Sequence, residues 1–156
     1  MVRYNQIREI EILTMFQACQ LDKVQKVKIE ILTMFQACQL GNVQKVTTLL
    51  KNGSNPNQVN DNFWESGWTP IRYAALSGFK WEPKGKPLEK RNTKAKKLIE
   101  VLLQYGANIN KQDDMGITTL MSTVQFEDRT DIVQMLLQRG ADETIIDSFG
   151  RTYKDY

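Results

Sequence analysis

Three segments of this chain close in the same way, and that recurrence limits the fold more than any other feature. Leu49-Leu50-Lys51-Asn52-Gly53, Leu102-Leu103-Gln104-Tyr105-Gly106 and Leu136-Leu137-Gln138-Arg139-Gly140 each carry a leucine pair and then, after two intervening residues, a glycine. Apolar stripes at helical spacing precede the last two, in Leu98, Ile99, Val101, Leu102 and Leu103 and in Ile132, Val133, Leu136 and Leu137, so each reads as a helix ended by glycine. Gly106 and Gly140 stand about 33 residues apart, a period at which helix-pair repeats occur. A helix pair of that size cannot shield its own apolar side, so each unit needs a neighbour laid against it.

The segment Gly67 to Gly78, GWTPIRYAALSG, states the other half of the unit. Thr69-Pro70 has the form of a helix start: a hydroxyl able to cap orphan N–H groups, then a proline whose missing N–H costs nothing at the first helical position. Ile71, Ala74 and Ala75 fall on one side of that helix, and the two alanines let another helix approach closely. The start recurs as Gly116-Ile117-Thr118-Thr119-Leu120 and, cut short, as Gly150-Arg151-Thr152-Tyr153.

Thr69-Pro70-Ile71-Arg72-Tyr73-Ala74 resembles the T-P-L-H-x-A signature of the ankyrin repeat family, with the three glycine endings in register behind it. The resemblance covers residues 30 to 156 or so and implies an all-α fold: an ankyrin-type helical solenoid of stacked antiparallel helix pairs with β-turn fingers. On that reading residues 29–57 hold the first helix pair, and 58–110 the second repeat with a basic insertion at 79–97. Residues 111–144 hold the third repeat, and 145–156 the start of a fourth or a cap. Phe35, Arg72 and Met121 stand at the family's histidine position, so the hydrogen bonds that histidine makes there are expected to be absent.

Residues 10–27 return almost unchanged as 29–46, differing only at Asp22/Gly41 and Lys23/Asn42. Gly41-Asn42 supplies turn residues that tolerate positive φ and leads into Thr47-Thr48-Leu49-Leu50, so the second copy is expected to form the first docked helix pair. Residues 1–28 are then an extra segment. In one continuous helix the 19-residue offset would rotate the two apolar stripes by about 100°. The expected arrangement is a fold-back cap on the amino-terminal face, the alternative an extension that pairs with another molecule.

Two stretches exceed what the repeat pattern needs. Asn57 to Gly67 is four residues longer than Asn110 to Gly116, and it carries Phe63 and Trp64, with Trp68 just beyond. Residues 79–97, read as a loop between the helices of the second repeat, hold eight basic residues against Glu82 and Glu89. The rest of the chain has 13 basic and 16 acidic residues, so all the net positive charge arises in that one segment.

The chemistry available is narrow. The chain has no histidine and only two cysteines, Cys19 and Cys38, at equivalent places in the duplicated segment; both read as small buried apolar residues, and a zinc site lacks ligands. No phosphate-cradling glycine loop and no nucleophile motif occur, and Asp113-Asp114 read as solvated turn residues. No cofactor, no metal and no catalysis are expected. No apolar run is long enough to span a bilayer and the amino terminus lacks a signal-peptide pattern, so the expected setting is cytoplasmic or nuclear, without a membrane.

In the family, fingers and first helices form a concave surface that binds other proteins, and the resemblance puts Phe63, Trp64, Glu65, Arg72 and Tyr73 there. Trp68 is read first as cover for a neighbouring finger and second as a contact residue. Tryptophan, tyrosine and arginine often dominate binding energy. The expected partner is another protein, met by a monomer, with a dimer through residues 1–28 as the alternative. A second reading is nucleic-acid or polyanion binding through Lys80, Trp81, Lys84, Lys86, Lys90, Arg91 and Lys94, where lysines would meet phosphates and Trp81 a base. A third is a structural or engineered scaffold defined by its duplication.

Overall fold

The computed structural model describes residues 34–62, 65–77 and 88–156, with side chains in the last stretch from Asn92 onward. Everything expected of residues 1–28, of Cys19, and of Phe63, Trp64, Lys80, Trp81, Lys84 and Lys86 therefore lies outside the described residues. Among those described there are helices and turns and no β-strand. The helices are α1 over residues 34–39, α2 Val43–Lys51, α3 Pro70–Ala75, α4 Leu88–Gln104, α5 Thr119–Val124 and α6 Thr130–Gln138. Short 3-10 turns form at Glu127–Arg129 and Tyr153–Asp155.

The repeated leucine-to-glycine endings have one backbone cause. Gly53, Gly106 and Gly140 all take positive φ, and each donates its N–H to the carbonyl of the second leucine: Leu50, Leu103 and Leu137. The next residue, Ser54, Ala107 or Ala141, donates to the first leucine, Leu49, Leu102 or Leu136. This is the Schellman closure, in which glycine supplies the left-handed turn and the last carbonyls find donors. At the other end of α2, Gly41 turns the chain at φ 68° and the Asn42 carboxamide accepts from Lys45 N–H at 3.0 Å.

The helix starts differ from one another. Thr69 precedes Pro70 as expected, yet its hydroxyl makes no capping bond; Pro70 has no N–H to satisfy and the start needs less help. Thr118 does cap, accepting from Met121 N–H, while Thr118 N–H donates to Met121 Sδ at 3.4 Å. At this position a methionine sulfur thus accepts a hydrogen bond where none was expected.

Packing runs from each unit to the next. Helix α3 lies against α4 and α5 against α6, while α2 contacts α4, α4 contacts α6, and α3 contacts α5. Met34, Cys38, Val46, Ile71, Ala74, Ala75, Leu98, Ile99, Leu102, Leu120, Ile132 and Leu136 are fully enclosed or nearly so. Each large aliphatic side chain among them contributes about 2 kcal/mol relative to exposure. Burial pushes the Cys38 thiol up to about 12, in keeping with its apolar role.

The basic segment is corrected in part. Helix α4 begins at Leu88, so residues 88–97 are the first turns of the second helix rather than loop. After Pro87 the run Leu-Glu-Lys-Arg-Asn-Thr-Lys-Ala-Lys-Lys contains no breaker and several good helix formers. Asn92 and Ala95 continue the buried stripe of Leu98, Ile99 and Leu102. Lys90, Arg91 and Lys94 are consequently helical residues, and Lys94 is exposed.

Between the second and third units sits a side chain that sequence reading passed over. Arg129, in the turn that replaces the usual glycine, is wholly enclosed. Its Nη1 donates to Asn92 Oδ1 at 3.0 Å and its Nη2 to the Ser77 carbonyl at 2.7 Å. Asn92 in turn donates to the Asp128 carbonyl and to Asp131, which also pairs with Lys96. One guanidinium therefore ties the end of α3, the first turns of α4 and the start of α6.

Candidate protein-binding fingers

Three turns alternate with the helix pairs: residues 54–68, 107–117 and 141–151. Each is closed by the same two backbone bonds. Asn60 N–H donates to Trp68 O and Gly67 N–H to Asn60 O; Asp113 and Gly116, then Asp147 and Gly150, repeat the pattern with Ile117 and Arg151. The closing distances all lie between 2.9 and 3.0 Å. The side chain at the first position caps the turn from within: Asn60 Oδ1 accepts from Asn62 N–H, Asp113 Oδ1 from Met115 and Ile117, and Asp147 Oδ1 from Phe149 and Arg151. Such Asx turns are what short side-chain acceptors favour.

Because the closures match, the four extra residues of the first finger fall between Asn60 and Gly67. The fold closes the finger without needing them. Phe63 and Trp64 belong to that added stretch.

Neighbouring fingers are joined twice. Near the helix ends, Asn57 Nδ2 donates to the Gly106 carbonyl at 2.8 Å, and Asn57 Oδ1 accepts from Asn108 N–H at 2.6 Å. Asn110 does the same one unit on, to Gly140 O and from Asp142 N–H. Near the tips, Ser66 donates to Asp114, Ser148 N–H donates to Met115 O, and Gln112 bridges Gly116 O and Ile146 O. The backbones touch there: a β-carbon on Gly67 would lie 2.8 Å from Asp113 Cα, and one on Gly116 would lie 2.9 Å from Ser148 N.

The residues expected to contact a partner divide sharply. Tyr73 is 4% exposed, its ring between Phe35 and Trp68 at 5.1 and 5.3 Å, its hydroxyl donating to Glu65 at 2.6 Å and accepting from Asn60. Burial first, and then the bond to Glu65, push its ionisation upward. Arg72 is 6% exposed, stacked 4.4 Å from the Trp68 ring centroid and paired with Asp113 of the next finger. These two offer a partner little surface; they hold the finger base, with Trp68 and Glu65 half-buried beside them. Asp113 is corrected accordingly: its side chain is 6% exposed and structural, not a solvated turn residue.

Two exposed apolar residues were missed. Met115 and Phe149 stand immediately before the turn glycines of the second and third fingers, 50% and 67% exposed. Their sequence signal, an apolar residue inside an Asp-x-x-Gly turn, was present but carries no periodicity. Beyond the last finger, the Tyr153–Asp155 turn packs on α5. Tyr156 donates to Asp147 Oδ2 at 2.7 Å, and Arg151 pairs with the same carboxylate and lies over the Tyr156 ring.

Among the described residues no group of histidine, cysteine or acidic side chains could hold a metal ion, and no helix is long and apolar enough to cross a membrane. Compared with known families, residues 34–80 match the model described as ankyrin repeats in many copies. No curated protein matches the chain.

Proposed function

This chain belongs with the ankyrin repeats, and from that premise we propose that it recognises another protein non-covalently through its finger tips and the concave side they border. Ankyrin repeats generally mediate protein–protein interaction and are typically non-enzymatic. The observation that carries the reading is the matched closure of the three fingers, with exposed apolar residues at the tips of the second and third and Phe63-Trp64 in the extra residues of the first. Turns cross-linked to their neighbours lose little further freedom when a partner arrives, so more of the contact energy appears as affinity. Arg72, Tyr73 and Asp113 then act beneath the surface as supports, and Phe63, Trp64, Met115 and Phe149 as the contacts. A short solenoid of stacked pairs is the architecture this mechanism needs, and the unit-to-unit packing of α2, α4 and α6 supports it.

The test is affinity capture of partners from the native cell with the unaltered chain, with Trp64→Ala and Met115→Ala alongside. The expected result is a specific partner whose retention falls about tenfold or more in each variant, as for interface anchors, with thermal midpoints unchanged. A partner retained equally by all three proteins would overturn the reading.

A further inference from the structure

Along α2, from the turn before it to its last residue, and against the flank of α4 lies an open cleft of about 750 Å³, lined in part by Asn42, Gln44, Thr48, Lys51, Lys94 and Lys97. Every charged side chain among its described lining residues is a lysine. Lys51, Lys94 and Lys97 are exposed and enter none of the ion pairs found among the described residues, whereas Lys96 is held by Asp131 at 2.9 Å. Lys94 and Lys97 are one turn apart on α4, and Lys90 falls on the same stripe by helical register. The Lys94 stem passes close to the turn before α2, since a β-carbon on Gly41 would lie 3.3 Å from Lys94 Cδ. The first turn of α2 carries no acidic residue, so its end adds partial positive charge.

We propose that this cleft docks a short aspartate- or glutamate-rich segment of a partner polypeptide. Lysines on both walls can meet carboxylates, and the hydroxyls and amides of Asn42, Gln44, Thr47 and Thr48 can meet the backbone of an extended chain. Among the described residues no aromatic ring and no arginine lines the cleft, so the described walls offer lysines and neutral polar groups rather than the stacking faces and bidentate donors that favour nucleic acid. Outside residues 79–97 the chain has 13 basic and 16 acidic residues, so the rest of the chain offers a long polyanion no net attraction, whereas a short acidic segment needs only the cleft lysines. None of these residues belongs to a finger, and the proposal stands apart from the finger reading.

Fluorescence anisotropy on the full chain tests it, with a labelled oligoglutamate peptide and, as a rival, an oligothymidylate of equal charge, both at low salt. Lys94→Glu with Lys97→Glu is expected to weaken peptide binding roughly tenfold or more, as loss of close charge pairs does. Lys94→Gln with Lys97→Gln is expected to weaken it less, and Trp64→Ala not at all. The control, Lys111→Glu with Lys154→Glu, makes the same change in net charge on exposed residues away from the cleft and is expected to stay within about twofold, circular dichroism confirming the fold of each. Equal weakening in the control, tighter binding of the oligothymidylate, or no binding of the peptide would each overturn the proposal.

Discussion

Arg129 keeps a full charge where solvent does not reach, donating to the Asn92 carboxamide and the Ser77 carbonyl with the Asp128 carboxylate 3.9 Å from its Nε. Replacing it with methionine fills similar volume but leaves both acceptors without this donor. Arg129→Met is expected to cost about 3 kcal/mol, the range for breaking a buried charged network. A urea midpoint that implies less than about 1 kcal/mol would contradict that bracing role. The glycines make a sharper comparison. Gly116 and Gly140 share positive φ, but a β-carbon meets backbone at 2.9 Å in the first and nothing within 4 Å in the second. Gly140→Ala should therefore cost only the left-handed backbone term, about 1 to 2 kcal/mol, and Gly116→Ala distinctly more, because two fingers must part. Equal losses of stability would show that the close approach carries no weight.

Among the elements, the last finger is organised around one ionised group, Asp147. Burial raises the proton affinity of the Asp147 carboxyl, but bonds from Tyr156, from the Arg151 backbone and side chain, and from Phe149 outweigh it and hold the group well below the usual carboxylate range. A lowered value in the folded state means that the unfolded chain takes up the proton first. The stabilisation is thus complete above the ordinary aspartate value near pH 4 and is lost as pH falls toward the lowered one. The stability difference between the unaltered chain and Asp147→Asn is expected to be constant from about pH 7 to 5 and to shrink below about pH 4. A difference that grew on acidification would refute the assignment. The same finger shows how an element can be replaced. In the second finger the partner of Asp113 is Arg72, which reaches forward from the helix behind, whereas in the last the partner of Asp147 is Arg151, four residues on in the turn itself.

For the molecule as a whole, the asparagine bridges decide whether the units behave as one. Asn57 follows α2 but binds Gly106 and Asn108, which follow α4. Asn57→Ala should lower stability by about 1 kcal/mol, and amide exchange should quicken at Asn108, in the next unit, as well as locally. Exchange unchanged at Asn108 would mean that the bridge is incidental. Much of this was legible in the chain. The leucine-to-glycine endings, the Thr-Pro start, the overlong first finger and the buried Cys38 are local or periodic features, and backbone stereochemistry plus apolar spacing suffices to read them. Arg72, Tyr73, Asp113 and Arg129 were misread or missed for one reason: a polar side chain looks solvated in sequence, and only the approach of a residue 37 to 52 positions away, as for Arg129 with Asn92 and Ser77, removes its water. The start of α4 was misread because a lysine-rich run resembles a loop until Asn92 and Ala95 are found buried. By itself the sequence determined the unit, its caps and its period, since these depend on neighbours along the chain. Which polar groups support the fingers, which tips stay exposed and which lysines gather at one cleft were decided only by tertiary structure, because desolvation and charge proximity depend on distance in space.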